Sequence, residues 1–308
     1  MADTTIRIAT RASKLALWQA EHIRTLIEAS AKNVKVEIVH VKTVGDANQT
    51  DALRQFGGTG VFTREVQQAV LSEAADIAVH SLKDLQTEPT DGLVLAGWPD
   101  RAPTADALLL PNSQKISSLD DLAENSRVGT GSPRRQAQLL HARPDLQMLE
   151  IRGNVDTRIR KLDDGEFDAI VLAEAGLRRL NLDDRISLLL TAPLMHPAVG
   201  QGAIGVECRD DDERTISILT AISNSEVITC TEAERSLLAE LRAGCHAPLG
   251  VTSTQTGEQL SLTAVLFSAD GTTRLEATVT GNASTPTDVG RAAAAELLSM
   301  GGAELVEQ

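Results

Sequence analysis

Residues 75–84, Ala75-Asp76-Ile77-Ala78-Val79-His80-Ser81-Leu82-Lys83-Asp84, decide the architecture. Asp76–His80 is a short, nearly continuous apolar run, the pattern of a strand buried on both faces, and it breaks into charge at Lys83 and Asp84. Such a strand belongs in a sheet covered by helices on both sides, where ligands gather beyond the carboxyl ends of the strands. Lys83 and Asp84 then stand at the ligand edge.

The pattern extends outward from there. Ile6–Thr10 predicts a strand, and Lys14–Ala29 a helix that Ser13 is placed to cap. Val34–Val41 alternates as a second strand, and a Gly57-Gly58-Thr59-Gly60 loop leads to a helix over about 63–74. The rhythm resumes with a strand at Arg127–Gly129, a helix opened by Ser132-Pro133, a strand at Met148–Ile151, a helix at Val155–Asp164 and a strand at Phe167–Leu172. Alternation of this kind predicts mainly parallel, doubly wound α/β sheets.

From about Ser223 the character changes to a small α+β module. Thr231-Glu232-Ala233-Glu234 reads as a capping box opening a helix to about Arg242. Leu260–Ser268 and Thr272–Thr280 flank an Asp270-Gly271 turn, and a last helix spans about Val289–Met300. No internal repeat is evident.

A net charge of −14 argues against a general nucleic-acid binder, and only 2% aromatic residues leave few rings for base stacking. No apolar run is long enough to span a membrane, and three widely spaced cysteines make no disulfide framework. A reducing, cytoplasmic compartment is expected.

Of the basic residues 22 are Arg and seven are Lys, which favours forked recognition of carboxylates. Arg11 follows the first strand; Arg134 and Arg135 open a helix after Thr130-Gly131-Ser132-Pro133; Arg152, Arg158 and Arg178-Arg179 follow later strands. Two arginines at a helix N-terminus oppose the helix dipole, which calls for an anionic ligand to offset them. Singly each reads as a surface residue; together they imply a polycarboxylate. Lys83-Asp84 alone reads more simply as a surface pair than as a catalytic group, and His80 as a core histidine. Cys245, in Arg242-Ala243-Gly244-Cys245-His246-Ala247-Pro248, is a candidate reactive thiol, whereas Cys208 lies in a β-like run and reads as core. The spacing of Cys208, Cys230, Cys245 and His246 fits no zinc pattern, so no metal is expected.

Several segments resemble porphobilinogen deaminases: Arg7-Ile8-Ala9-Thr10-Arg11, Leu15-Ala16-Leu17-Trp18-Gln19-Ala20, Ala75–Ser81, Arg152-Gly153-Asn154-Val155, Ala198-Val199-Gly200-Gln201-Gly202-Ala203 and Gly244-Cys245. The resemblance implies three domains: 1–99 with 200–222, 100–199, and 223–308. The first two are similar lobes like those of periplasmic binding proteins, with crossings near Trp98–Arg101 and Pro197–Gln201. It implies a covalent dipyrromethane cofactor held by a thioether to Cys245, and condensation of four porphobilinogen molecules into hydroxymethylbilane by a monomer. Asp84 is then the catalytic carboxylate, stabilising the azafulvene left when ammonia departs. Arg11, Ser13, Lys83, Ser132, Arg134, Arg135, Arg152, Arg158 and Arg179 bind acetate and propionate groups, with Gln19, Thr130 and Gln201 in support. Three positions depart from the family's habit: Val44, Thr59 and Gln86. A carboxylate-binding protein without catalysis is the competing reading.

Overall fold

The computed structural model describes residues 4–31, 33–41, 63–244 and 247–306. The chain divides into two compact units, 1–102 with 203–228, and 103–202 with 229–308.

The first unit is built on a five-stranded sheet of β1 (Thr4–Thr10), β2 (Val34–His40), β3 (Ile77–Ser81), β4 (Leu93–Gly97) and the late strand β10 (Ile204–Arg209), in the order β2-β1-β3-β10-β4. Successive side chains of a strand face opposite ways. Ile6 and Ile8 therefore share one core with Ala20, Ile23 and Ile27 of helix Lys14–Ser30. Ala9 and Ala78 pack on the other face with Val66 and Val70 of helix Arg64–Leu71. Ser13 caps the first helix as expected, accepting from the Ala16 N–H at 3.3 Å.

The second unit holds β5 (Asp106–Leu109), β6 (Arg127–Gly129), β7 (Gln147–Leu149), β8 (Ala169–Ala173) and β9 (Leu188–Leu190), ordered β7-β6-β8-β5-β9. Helices Pro133–Ala142, Val155–Asp163 and Glu174–Arg179 follow β6, β7 and β8. Its last portion is an antiparallel sheet of β11 (Leu249–Thr256), β12 (Gln259–Phe267) and β13 (Arg274–Asn282). Leu260, Leu262 and Ala277 of that sheet share a core with Leu237 of helix Ser225–Glu240 and Leu297 of helix Pro286–Ser299.

Both five-stranded sheets are mixed where mainly parallel pairing was expected. β10 runs antiparallel to β3 and β4, and β5 antiparallel to β8 and β9. Each of these is the first strand after the chain passes from one unit to the other, so it enters its sheet from outside the local βαβ winding. The capping-box reading is corrected as well. The helix starts at Ser225, where Asn224 Oδ1 accepts from the Glu226 and Val227 N–H groups at 2.9 and 3.3 Å. Thr231 is buried within it, and Glu234 spends its carboxylate on the Gly200 N–H (2.7 Å) and Ser253 Oγ (2.5 Å).

The structure also holds an internal repeat. Asp76 Oδ2 accepts from the Arg7 N–H and Nε at 2.8 and 3.0 Å, with Arg7 Nη2 on Oδ1 at 2.8 Å. Asp168 repeats the clasp on Arg127, at 2.7, 3.1 and 2.8 Å. Each clasp joins the start of a parallel pair, β1 with β3 and β6 with β8. Only Arg-x-x-Thr and an Asp before an apolar run survive as sequence signals, too short to be noticed.

Helices Ser225–Glu240 and Pro286–Ser299 meet at Gly290, where an added Cβ would sit 2.2 Å from Ala233 O and 2.9 Å from Leu237 N. Alanine gains about 1 kcal/mol of helix preference over glycine. Overpacking against backbone costs about 1–3 kcal/mol, and here the obstacle cannot rotate away. Gly290→Ala is expected to lower the urea midpoint; a midpoint at or above the parent's would show that the helices separate freely.

Candidate functional site

Each sheet carries polar residues beyond the carboxyl ends of its parallel strands, and the two edges differ in charge. In the first unit β1 and β3 are parallel neighbours, pairing Ile8 with Ile77 and Ala9 with Ala78. Arg11 and Ser13 therefore leave β1 beside the point where Lys83 and Asp84 leave β3. Gln19 joins them: buried on its helix, it donates through Nε2 to Ser81 Oγ at 2.9 Å. Leu82–Asp84 forms a single 3-10 turn. Leu82 and Leu85 are buried with Ala203 and Val227, while Asp84 between them is exposed. The alternation of buried and outward residues aims the carboxylate off the sheet edge.

In the second unit β6 lies between β7 and β8, parallel to both. Thr130, Ser132, Arg134 and Arg135 follow β6, Arg152 follows β7, Arg158 lies in the helix after β7, and Arg179 ends the helix after β8. Arg152 is half-buried and pairs with Glu150 (Nε to Oε1, 2.9 Å), and Arg158 Nε donates to Gly153 O at 2.8 Å. Arg179 is buried, donates to Gly202 O at 2.7 Å, and burial pulls its pKa down to about 10. The Ser132 N–H donates to Thr130 Oγ1 at 3.2 Å.

Arg134 and Arg135 are 4% and 6% exposed, which excludes the surface-arginine reading for them. Their counter-charge is Asp106, fully buried at the start of β5. Oδ2 accepts from Arg134 Nη1 (2.7 Å), and Oδ1 accepts from Arg135 Nε (3.0 Å) and Nη2 (2.8 Å) and from Gln201 Nε2 (3.0 Å). Burial alone would raise the Asp106 pKa, but the two guanidinium groups outweigh it and hold the carboxyl below the usual carboxylate range. The anion that offsets the two arginines at the helix start is thus supplied in part by the protein. One negative charge against two positive leaves a net cation, and Arg134 Nε is buried with no hydrogen-bond partner. Sequence reasoning missed Asp106. Its signal was a lone acid opening the apolar run Ala107-Leu108-Leu109-Leu110.

Cys245, His246, Val44 and Thr59 lie outside the described residues. Cys208 and Cys230 are buried, and burial first, then the Asp212 charge, pushes the Cys208 thiol up to about 12. Both are core groups of low reactivity. Gln86 donates to Thr90 Oγ1 at 3.3 Å, and His80 is buried. Among the described residues no helix is long and apolar enough to cross a membrane.

Comparison with known proteins gives one family. The porphobilinogen deaminase dipyromethane cofactor binding domain matches residues 6–217, and the porphobilinogen deaminase C-terminal domain matches residues 228–299. The porphobilinogen deaminase of Xanthomonas oryzae pv. oryzae (strain PXO99A) is 44% identical over 303 residues, 98% of this chain and 99% of its own length. That of Trichlorobacter lovleyi is 41% identical over 307 residues, covering 100% of this chain and 97% of its own. Among solved structures, the methionine-binding protein MetQ covers 73% of this chain and 92% of its own, with a TM-score of 0.44 and 15% identity.

Asp106→Asn strands two buried guanidinium groups, and breaking a buried ion pair costs about 3–5 kcal/mol. Because the folded pKa of Asp106 is depressed, its stabilisation is complete above the ordinary carboxylate value near pH 4 and is lost as pH falls through the folded value. The variant is expected to be less stable at pH 7 by urea titration. It should also lose less stability than the parent on acidification from about pH 4 to pH 2. Parallel acid profiles would deny Asp106 this role.

Proposed function

This chain belongs to the porphobilinogen deaminase family, and we propose that it performs the family's reaction with Asp84 as catalytic carboxylate and Cys245 as cofactor anchor. It condenses four porphobilinogen molecules, with loss of ammonia, into the linear tetrapyrrole hydroxymethylbilane for tetrapyrrole biosynthesis, using a dipyrromethane cofactor. The observation that carries the residue assignments is the pair of edges: one with an outward carboxylate, the other lined with arginines.

The arginine edge suits a dipyrromethane. Its donor set of guanidinium, hydroxyl and backbone N–H groups matches acetate and propionate side chains, and Arg134 Nε is a buried donor still to be satisfied. When bound, the dipyrromethane supplies an electron-rich pyrrole carbon as the starting point for condensation. Ser132, Arg134, Arg135, Arg152, Arg158 and Arg179, supported by Thr130 and Gln201, would hold its carboxylates. Arg11, Ser13 and Lys83, supported by Gln19, would hold those of the incoming substrate near Asp84. Fixing a reactant by its carboxylates removes part of the entropic cost of its reaction.

Porphobilinogen loses its aminomethyl nitrogen as ammonia, and the azafulvene left behind carries positive character at its pyrrole nitrogen. Asp84 accepts a hydrogen bond from that N–H and stabilises the charge. At about 4 Å the attraction is roughly 1 kcal/mol in bulk water and about 4 kcal/mol at an effective dielectric of 20. An exposed Asp84 therefore needs water excluded from around the bound substrate. A nearby carboxylate also takes the proton released when aromaticity returns.

Burial of Cys208 and Cys230 supports Cys245 as the attachment point, through a thioether. We retain three domains, 1–99 with 200–222, 100–199, and 223–308. The core of Leu237, Leu260, Leu262 and Leu297 supports the third. Action as a cytoplasmic monomer completes the proposal.

The intact mass of the purified protein is expected to exceed that of the bare chain by one dipyrromethane, and Cys245→Ser should show the bare mass. A parent at the bare mass, unaltered by incubation with porphobilinogen, would refute the covalent assignment. Asp84→Asn should retain the cofactor mass while kcat falls by at least about 100-fold; a rate near the parent's would remove Asp84 from the chemistry.

A further inference from the structure

Behind Asp84 lies a buried polar group that the reaction as described does not use. Glu207 sits on β10 inside the apolar run Ile204–Cys208 and is 5% exposed. Its register partner on β3 is Ala78, which places it on the same face of the sheet as His80, two residues further along β3. That face is the one covered by helix Arg64–Leu71, from which Gln67 reaches down. Burying a carboxyl group is costly unless it is hydrogen-bonded or paired. Its partners show what its retention secures.

Two chains of contacts run from Glu207, and both end beside Asp84. The first is direct: His80 Nε2 stands 2.9 Å from Glu207 Oε2, at ion-pair range although off hydrogen-bond alignment. His80 is four residues before Asp84. The second passes through Gln67, whose Nε2 donates to Glu207 Oε2 (2.9 Å) and to Thr90 Oγ1 (3.1 Å). Thr90 Oγ1 also accepts from Gln86 Nε2 at 3.3 Å, and Gln86 is two residues after Asp84. The segment His80–Gln86 is thus tied at both ends to one buried carboxyl group. Between the ties Leu82 and Leu85 are sunk in the core and the Leu85 N–H closes the turn on Leu82 O at 3.2 Å.

We propose that Glu207 is a positioning residue for the reaction: through His80 on one side and Gln67, Thr90 and Gln86 on the other, it fixes the turn that presents Asp84. The proposal rests on Asp84 being the catalytic carboxylate. Electrostatic stabilisation by a preorganised group is lost when that group is free to swing. A loosened turn therefore costs turnover more than substrate capture, which the arginines govern.

Glu207→Gln keeps the shape and an acceptor for Gln67 but removes the charge facing His80. Thr90→Val removes only the hydroxyl shared by Gln67 and Gln86. With cofactor content verified by intact mass, both holoenzymes are expected to lose kcat on the order of tenfold with KM for porphobilinogen near the parent's. Amide hydrogen exchange over residues 81–91 should quicken in both, while the rest of the chain keeps its protection. In an Asp84→Glu background, where the carboxylate is already displaced, Glu207→Gln should cost less than in the parent. Parental kcat in either cofactor-loaded variant, or a loss confined to KM or to global stability, would overturn the proposal. If Glu207→Gln does not fold, Thr90→Val decides alone by the same criteria. An active Asp84→Asn would instead refute the Asp84 assignment, so the two failures are distinguishable.

Discussion

A carboxylate with no exposure, Asp106, is the constraint on which the buried arginine pair of the second lobe depends. Two guanidinium groups at the start of one helix cannot be buried together without an anion, since each charge alone would be expelled toward water. Asp106 supplies that anion and fixes both side chains by multiple hydrogen bonds, so Arg134 and Arg135 are held before any ligand arrives. The triad still carries one surplus positive charge. For the proposed carboxylate site, side chains held this way would spend little on ordering when the ligand binds. Its cost falls on the folded state, where burial works against the Arg134 charge and Asp106 offsets it only in part.

Strands buried on both faces were legible in the sequence where their apolar runs are continuous, as in β3 and the core of β8; β1 was legible from Ile6 and Ile8 alternating about Arg7. β5, β9 and β11 were not legible, for a different reason. β5 is four residues long and opens with an acid, and β9 is three residues long. β11 mixes Thr, Ser and Gln beyond its first three buried residues. The error at Thr231 is of another kind. Thr-Glu-Ala-Glu satisfies the capping pattern locally, but Asn224 is a stronger cap seven residues earlier, and tertiary contacts of Glu234 with Gly200 and Ser253 use the acid differently.

Of the proposed site, the positions of Arg11, Lys83, Asp84, Arg134, Arg135 and Arg152 just past strand ends could be read from the chain, since the βαβ rhythm places such residues at a sheet's ligand edge. Their partners could not. Asp106 and Glu207 are single acids in apolar runs, separated from the residues they serve by 28 and 127 positions. Single-sequence periodicity reports burial, and it has no means of pairing distant charges.

The repeated clasp of Arg7 with Asp76 and Arg127 with Asp168 matches the start of β1 with that of β6 and the start of β3 with that of β8. Counting on from each strand start, Asp84 corresponds to Gly176 and Arg135 to Leu15, so the shared frame carries an acid on one edge and an arginine on the other where its counterpart is uncharged. Each edge is then backed by a buried acid on the antiparallel strand that the chain inserts on entering that lobe: Asp106 on β5 and Glu207 on β10. An inserted strand is free of the βαβ winding that fixes its neighbours, and it lies beside the central strand whose end bears functional residues. That strand is where an added charge reaches the edge from behind without occupying it. The crossings of the chain thereby give each lobe a separate means of tuning residues that the shared frame holds in place.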